Sequence, residues 1–294
     1  MARPFLLRLL RILLCLVPSS WRISIYKAWI ENHRITTALY HNVYRLPFGL
    51  VLKTGRKYPH VEADALRFVN TLSGIHAPYL IDAVFDGNTT FLLTNWIGGD
   101  CVTDDHVWDA MTVEDWARLE QQLRSQLGSM RRQTLMSHAD QAICNASGGP
   151  IDDPRIPWVA RENPRIFTSS RDFAAEVWTG LHWPSNCDTL LPLLKPLIER
   201  DDVPIVFSHG DILPKNMILP GGLNCWRTSG EMVCIIDWEY AGWMPIFWDA
   251  LKATWMGVDV DDFWMQFGRR VFPEFIEELE ADWEWRSRSQ VLIL

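Results

Sequence analysis

Apolar and polar positions alternate differently along the chain, giving strands first and helices later. Val43 to Arg45 and Leu50 to Lys53 are short runs with the make-up of strands, joined by Leu46-Pro47-Phe48-Gly49. Phe91, Leu92 and Leu93 form another, which runs through Thr94-Asn95-Trp96-Ile97 into a Gly98-Gly99 turn. From residue 113 the period becomes helical, with Val113, Trp116, Leu119, Leu123 and Leu127 on one face of Val113 to Met130. Phe173 to Leu181, Leu190 to Arg200 and Trp248 to Ala253 repeat that pattern, although Pro192 and Pro196 interrupt the second. Phe272 to Trp285 is a last acidic amphipathic helix. Residues 145 to 171 lack periodicity and read as a long loop, a feature that is often functional in a compact domain. This order favours an α+β fold over a doubly wound sheet.

The first 33 residues are a separate helical segment. Phe5 to Val17 is mostly apolar, but Arg8 and Arg11 interrupt it, which weakens both a secretory core and a membrane span. An amphipathic helix fits better, and it can either lie on a membrane surface or pack against the body of the protein. We expect packing. Residues 19 to 33 continue as helix, with Ser19 or Ser20 as N-cap. Further on, Glu62, Leu66 and Val69 share a stripe of a helix over Glu62 to Val69, so the Glu62 carboxylate is predicted to face inward.

Residues 203 to 249 carry the candidate chemistry. Val203 to Phe207 reads as a buried strand that delivers Ser208-His209-Gly210-Asp211 into a loop, and Met217 to Leu219 resumes a strand. After a turn-rich insert beginning Pro220-Gly221-Gly222, the run Met232 to Ile236 ends on Asp237. Pairing of these last two strands as a hairpin would make Asp211, Asn216 and Asp237 converge. Phosphoryl transfer needs a base at the acceptor hydroxyl and a few hard oxygen ligands for Mg²⁺, and Asn216 and Asp237 suit the second task. Asp211 and Asn216 stand at D-x-x-x-x-N, the spacing of base and metal ligand in the protein-kinase catalytic loop. The plainer alternative is that Asp211 and Asn216 are turn formers and Asp237 a strand end.

Composition narrows the partners. The 294 residues are 48% hydrophobic and 22% charged, as in ordinary globular proteins, and suit two lobes. A net charge of −8 argues against nucleic-acid binding, which draws its affinity from Lys and Arg. Six cysteines without C-x-x-C or zinc spacing read as reduced thiols of a cytoplasmic protein. Sixteen tryptophans are unusual, and those from Trp238 to Trp264 serve either as core or as the wall of an apolar substrate site.

His209-Gly210-Asp211 with Asn216, followed by Ile235-Ile236-Asp237-Trp238-Glu239, resembles the aminoglycoside phosphotransferase and choline kinase-like family. The wording SHGDILPKN and IIDWEYAGWMP is especially similar to its fungal branch. The resemblance implies a bilobal protein-kinase-like fold, with a helical segment at 1–33, a small β-rich lobe with hinge at 34–98 and a larger helical lobe at 99–294. It implies ATP and Mg²⁺ as cofactors, with Asp211 as catalytic base and Asn216 and Asp237 as metal ligands. Lys53, ending G-L-V-L-K, resembles the phosphate-binding lysine, Glu62 its carboxylate partner, and Thr94, Asn95, Trp96 and Ile97 the hinge that receives adenine. Asp249 resembles the aspartate that braces the catalytic loop.

The implied reaction is transfer of the γ-phosphate to a hydroxyl of a small molecule. One part is missing from the pattern: no glycine-rich phosphate loop precedes Lys53, and Ile35 to Tyr44 contains no glycine. An inactive pseudokinase or ligand-binding protein of the same fold is therefore the alternative. A protein kinase ranks third, because no H-R-D, D-F-G or A-P-E string is present. Lys215 could neutralise transferring phosphate or be a solvated loop charge, and the acidic side chains of Glu239, Asp259, Asp261 and Asp262 could attract a cationic amine or simply face solvent.

Overall fold

The computed structural model describes residues 2–32, 42–55, 58–135, 142–156 and 164–291. Most of the glycine-free stretch before Lys53, and residues 157–163 of the long loop, lie outside them. In chain order the elements are α1 (Ala2–Cys15), α2 (Ser19–Asn32), β1 (Val43–Leu46), β2 (Leu50–Gly55), α3 (Tyr58–Val69), β3 (Leu80–Asp86), β4 (Thr89–Asn95), β5 (Gly99–Cys101) and α4 (Asp105–Trp108). Then come α5 (Val113–Thr134), β6 (Cys144–Asn145), α6 (Ser170–Val177), α7 (Pro184–Cys187), α8 (Leu191–Ile198), β7 (Ile205–Ser208), β8 (Met217–Pro220) and α9 (Leu223–Thr228). The chain closes with β9 (Cys234–Ile235), β10 (Gly242–Pro245), α10 (Trp248–Thr254), α11 (Phe263–Val271) and α12 (Ile276–Arg288).

The elements form two compact units, Met1–Met111 with Pro214–Glu239, and Thr112–Leu213 with Tyr240–Leu294. In the first, an antiparallel sheet of order β1-β2-β4-β3 is packed on Tyr44, Leu46, Leu52, Phe91 and Leu93, all buried. α3 lies against this sheet because Ala63, Leu66 and Val69 form a buried stripe. A second sheet, β5-β8-β9, ties residues 214–239 to this unit, with Asp100 paired to Leu219 and Met217 to Ile235. The expected hairpin of Met217 to Leu219 with the strand before Asp237 is thus present.

Its insert differs from the turn the sequence suggested. It contains α9, because Gly222, at φ 86°, turns the chain into a helix that buries Leu223 and Trp226. The cap of α2 also differs. Ser19 is already helical, and the Pro18 carbonyl accepts from Trp21 and Arg22 N–H.

In the second unit, α5 starts at a capping box in which Thr112 and Asp115 each accept the other's backbone N–H. A small sheet of order β6-β10-β7 pairs Gly242 with Ser208 and Trp243 with Phe207. Trp178, Trp248 and Trp285 are wholly buried here, as Trp226 and Trp238 are in the first unit, so these five rings are core. α10 follows its predicted span closely, and Pro196 is accommodated inside α8.

Candidate active site

In the first unit, three elements bring four charged side chains together. Lys53 leaves β2, and its Nζ lies 2.8 Å from Glu62 of α3, 2.5 Å from Asp237 just after β9, and 3.4 Å from Glu239. Glu62 is buried and inward, the orientation its helical stripe predicts. Asp237 stands at φ 65°, a left-handed conformation that costs a non-glycine residue of order 1–3 kcal/mol. Such a conformation persists only where its surroundings fix it. Here the Ile236 N–H donates to the Asn216 carbonyl at 2.9 Å and Trp238 Nε1 donates to the Ile235 carbonyl at 2.8 Å, which pins the chain on both sides of Asp237.

The electrostatics are unbalanced, since one ammonium faces three carboxylates. Burial works against the charged Lys53, yet Glu62, Asp237 and Glu239 hold its pKa well above the ordinary lysine value. Burial likewise pushes Glu62 up against the pull of Lys53. Glu239 is raised to about 7, by burial first and then by the neighbouring Asp237. The cluster therefore offers hard carboxylate oxygens of the kind that divalent cations take. No three His, Cys, Asp or Glu residues form a ready metal cluster among the described residues. Asn216 adjoins Asp237 through the Ile236 N–H bond to its carbonyl, and a carboxylate and a side-chain amide both carry hard oxygens of the kind that Mg²⁺ takes.

The hinge candidates sit at the end of β4, where Thr94 pairs with Val51 and Leu80. Trp96 N–H already donates to the Gly49 carbonyl at 2.8 Å, and the Asn95 side chain accepts from Tyr79 N–H at 2.6 Å. The Arg45 guanidinium lies 4.7 Å from the Trp96 ring centroid, a stacking contact that sequence reasoning did not single out.

In the second unit, β7 carries Ser208 into the turn His209-Gly210-Asp211. Asp249, at the start of α10, accepts from Gly210 N–H at 2.9 Å and from His209 N–H at 3.3 Å, the bracing expected of it. His209 is fully buried, and its Nδ1 accepts from Asp211 N–H at 3.0 Å, so the turn is held from inside as well. Gly210 has φ 77°, and a Cβ there would stand 2.3 Å from the Tyr240 carbonyl oxygen, so only glycine fits. Asp211 itself is 3% exposed.

Behind this turn lies a pair that the sequence gave no reason to join: Lys252 Nζ contacts Asp153 at 2.7 Å, both buried. Lys252 sits on the helical period of α10, but Asp153 comes from the aperiodic loop. Of the predicted site residues, the structure thus gathers Lys53, Glu62, Asn216 and Asp237 in the first unit and holds Asp211 in the second.

The fold is the protein-kinase-like one seen in aminoglycoside phosphotransferases of known structure. The model of the phosphotransferase enzyme family matches residues 153–291, which bears out the resemblance seen in the motifs. Among solved structures, the chain is similar to the GDP and kanamycin complex of APH(2")-IIia, with a TM-score of 0.53 and 13% identity over 89% of this chain and 87% of that one. It is similar also to the GDP complex of wild-type aminoglycoside 2'-phosphotransferase-IIIa, with a TM-score of 0.53 and 14% identity over 89% and 88%. At these identities the likeness is one of fold. A probable ethanolamine kinase of Nematostella vectensis is 36% identical over 73 residues, which span 24% of this chain and 19% of that protein's length.

Proposed function

We propose that the chain is an ATP-dependent phosphotransferase that moves the γ-phosphate to a hydroxyl of a small molecule. The observation that carries this reading is the grip of Glu62 and Asp237 on Lys53, because it joins residues 184 positions apart that were assigned to one nucleotide site on separate motifs. Lys53, steadied by Glu62, binds nucleotide phosphate. Asn216 and Asp237 hold Mg²⁺, which when bound neutralises charge on the phosphates. Asp211 orients the acceptor hydroxyl and takes its proton, and its rigid, backbone-braced turn suits a group whose task is positioning. Thr94 to Ile97 supply the hinge, with the Trp96 N–H exchanging its bond to Gly49 for one to the base.

The acceptor is an alcohol, and we place the reaction in the cytoplasm on the cysteine pattern. The relatives named above are an ethanolamine kinase by name and structures with GDP and kanamycin by title, so amino alcohols and both purine nucleotides belong in the first screen. Titration calorimetry with ATP and with GTP, each with and without Mg²⁺, tests the reading. Micromolar binding that requires Mg²⁺ is the expected result, and absence of heat at millimolar nucleotide of either kind would sink it.

A further inference from the structure

The N-terminal helices carry a surface that the phosphotransfer chemistry does not use. α1 has two apolar faces. Leu7, Leu10 and Leu14 pack against the core around Tyr26 and Phe91, which fixes the helix on the first unit. On the other side Phe5, Leu6, Leu9, Ile12, Leu13 and Leu16 stand 41–77% exposed, and their i, i+3, i+4, i+7 spacing makes them one stripe. Trp21 (68% exposed) and Ile25, one turn apart on α2, add to the exposed apolar surface. Contiguous apolar surface of this kind marks an interaction site.

Charge indicates the partner. The first 30 residues hold Arg3, Arg8, Arg11, Arg22 and Lys27 and no acidic residue, in a chain whose net charge is −8. Arg22 and Lys27 are answered by Asp82 and Asp86, and Arg11 lies over the Tyr79 ring. Arg8 is exposed, lies between Phe5 and Ile12 on the helix surface, and pairs with no carboxylate among the described residues. Leucine and phenylalanine flanked by arginine, with an exposed tryptophan beside them, is the chemistry of the boundary between lipid headgroups and acyl chains. No helix among the described residues is long and apolar enough to cross a membrane.

We propose that α1 and α2 seat the protein flat on an anionic lipid surface. The α1 stripe enters the interface, Arg8 lies among headgroup phosphates and Trp21 anchors the adjoining helix. Because the packed leucines hold the stripe in place beforehand, little ordering cost opposes docking. The anchor is peripheral and reversible, and it places a kinase where an amphiphilic acceptor would be found.

The test is flotation of the full chain with phosphatidylcholine vesicles, with or without phosphatidylserine, alongside sedimentation velocity in the absence of lipid. We expect capture by the anionic vesicles that weakens with salt. Leu9→Glu combined with Ile12→Glu should lower partitioning about tenfold or more with an unchanged melting transition, since both positions are exposed. Arg8→Glu should lower it several-fold on anionic vesicles only, each such charge near the surface being worth on the order of fivefold. Failure to float with either vesicle overturns the proposal, as does undiminished binding by the double variant. Equal capture by both vesicle types removes its anionic part. A dimer that the double variant dissociates, with no lipid binding, would assign the stripe to a second copy of the chain.

Discussion

The Lys53 cluster and the His209–Asp211 turn are held by opposite means. At Lys53, ionised side chains converge from three elements and hold one another by charge, with more negative groups than positive ones. At Asp211, backbone N–H groups are fixed by a buried carboxylate, an imidazole and a glycine that no other residue can replace. A position held by partly exposed charges responds to salt and cations, whereas one held by buried bonds to the backbone responds little to either. Under the proposed roles the contrast matches what phosphoryl transfer asks of each group, because a phosphate site must yield to nucleotide and metal while a base must stay still.

The sharpest break of this comparison is Asp211→Ala. Turnover should fall about 10²–10⁴-fold while nucleotide binding stays intact, as measured by coupled ATP consumption beside calorimetry. Equal loss of binding would mean that the turn is only structural. Lys53→Met should cost about 2–3 kcal/mol in denaturant unfolding, below the range for enclosed pairs because Lys53 is 23% exposed. Mg²⁺ should restore part of that loss, and a variant indifferent to Mg²⁺ would contradict the surplus of negative charge.

Gly210→Ala should cost roughly 1–3 kcal/mol from its φ alone, with added strain against the Tyr240 carbonyl. Unlike Lys53→Met, that loss should be blind to both Mg²⁺ and salt. The smallest effect concerns Asp249, whose pKa burial raises above the ordinary 3.8. The folded state therefore keeps a proton that the unfolded chain releases, and this residue's contribution to stability declines as pH rises from near that value. Asp249→Asn should retain the Gly210 bond and flatten the decline, seen as a shallower fall of melting temperature with pH. An unchanged slope would count against burial as the cause.

Much of this was legible in the sequence because it rests on local pattern. The strand that carries Lys53 follows from its apolar run, although it continues to Gly55, and the stripe that turns Glu62 inward follows from the helical period of 3.6. Asp249 was legible through its resemblance to a bracing aspartate, and β7 through its apolar run. What escaped depends on distant partners. Cys144–Asn145 is a strand only because Gly242 and Trp243 lie beside it, and α9 exists because Leu223 and Trp226 find a core. Nothing local to Asp153 predicts a buried Lys252, and Glu239 counted as a loose acidic charge until Lys53 arrived from the far end of the chain.

The sheet β5-β8-β9 has one more consequence, for biosynthesis. The first unit takes two of its strands from beyond residue 216, so a chain emerging from the ribosome cannot close that sheet until Ile235 has been made. For more than a third of translation β5 is a free edge awaiting a mate more than a hundred positions downstream, an arrangement that favours slow, late closure and reliance on chaperones. Neither unit is one uninterrupted piece of polypeptide, so halves expressed separately should aggregate where the intact chain folds.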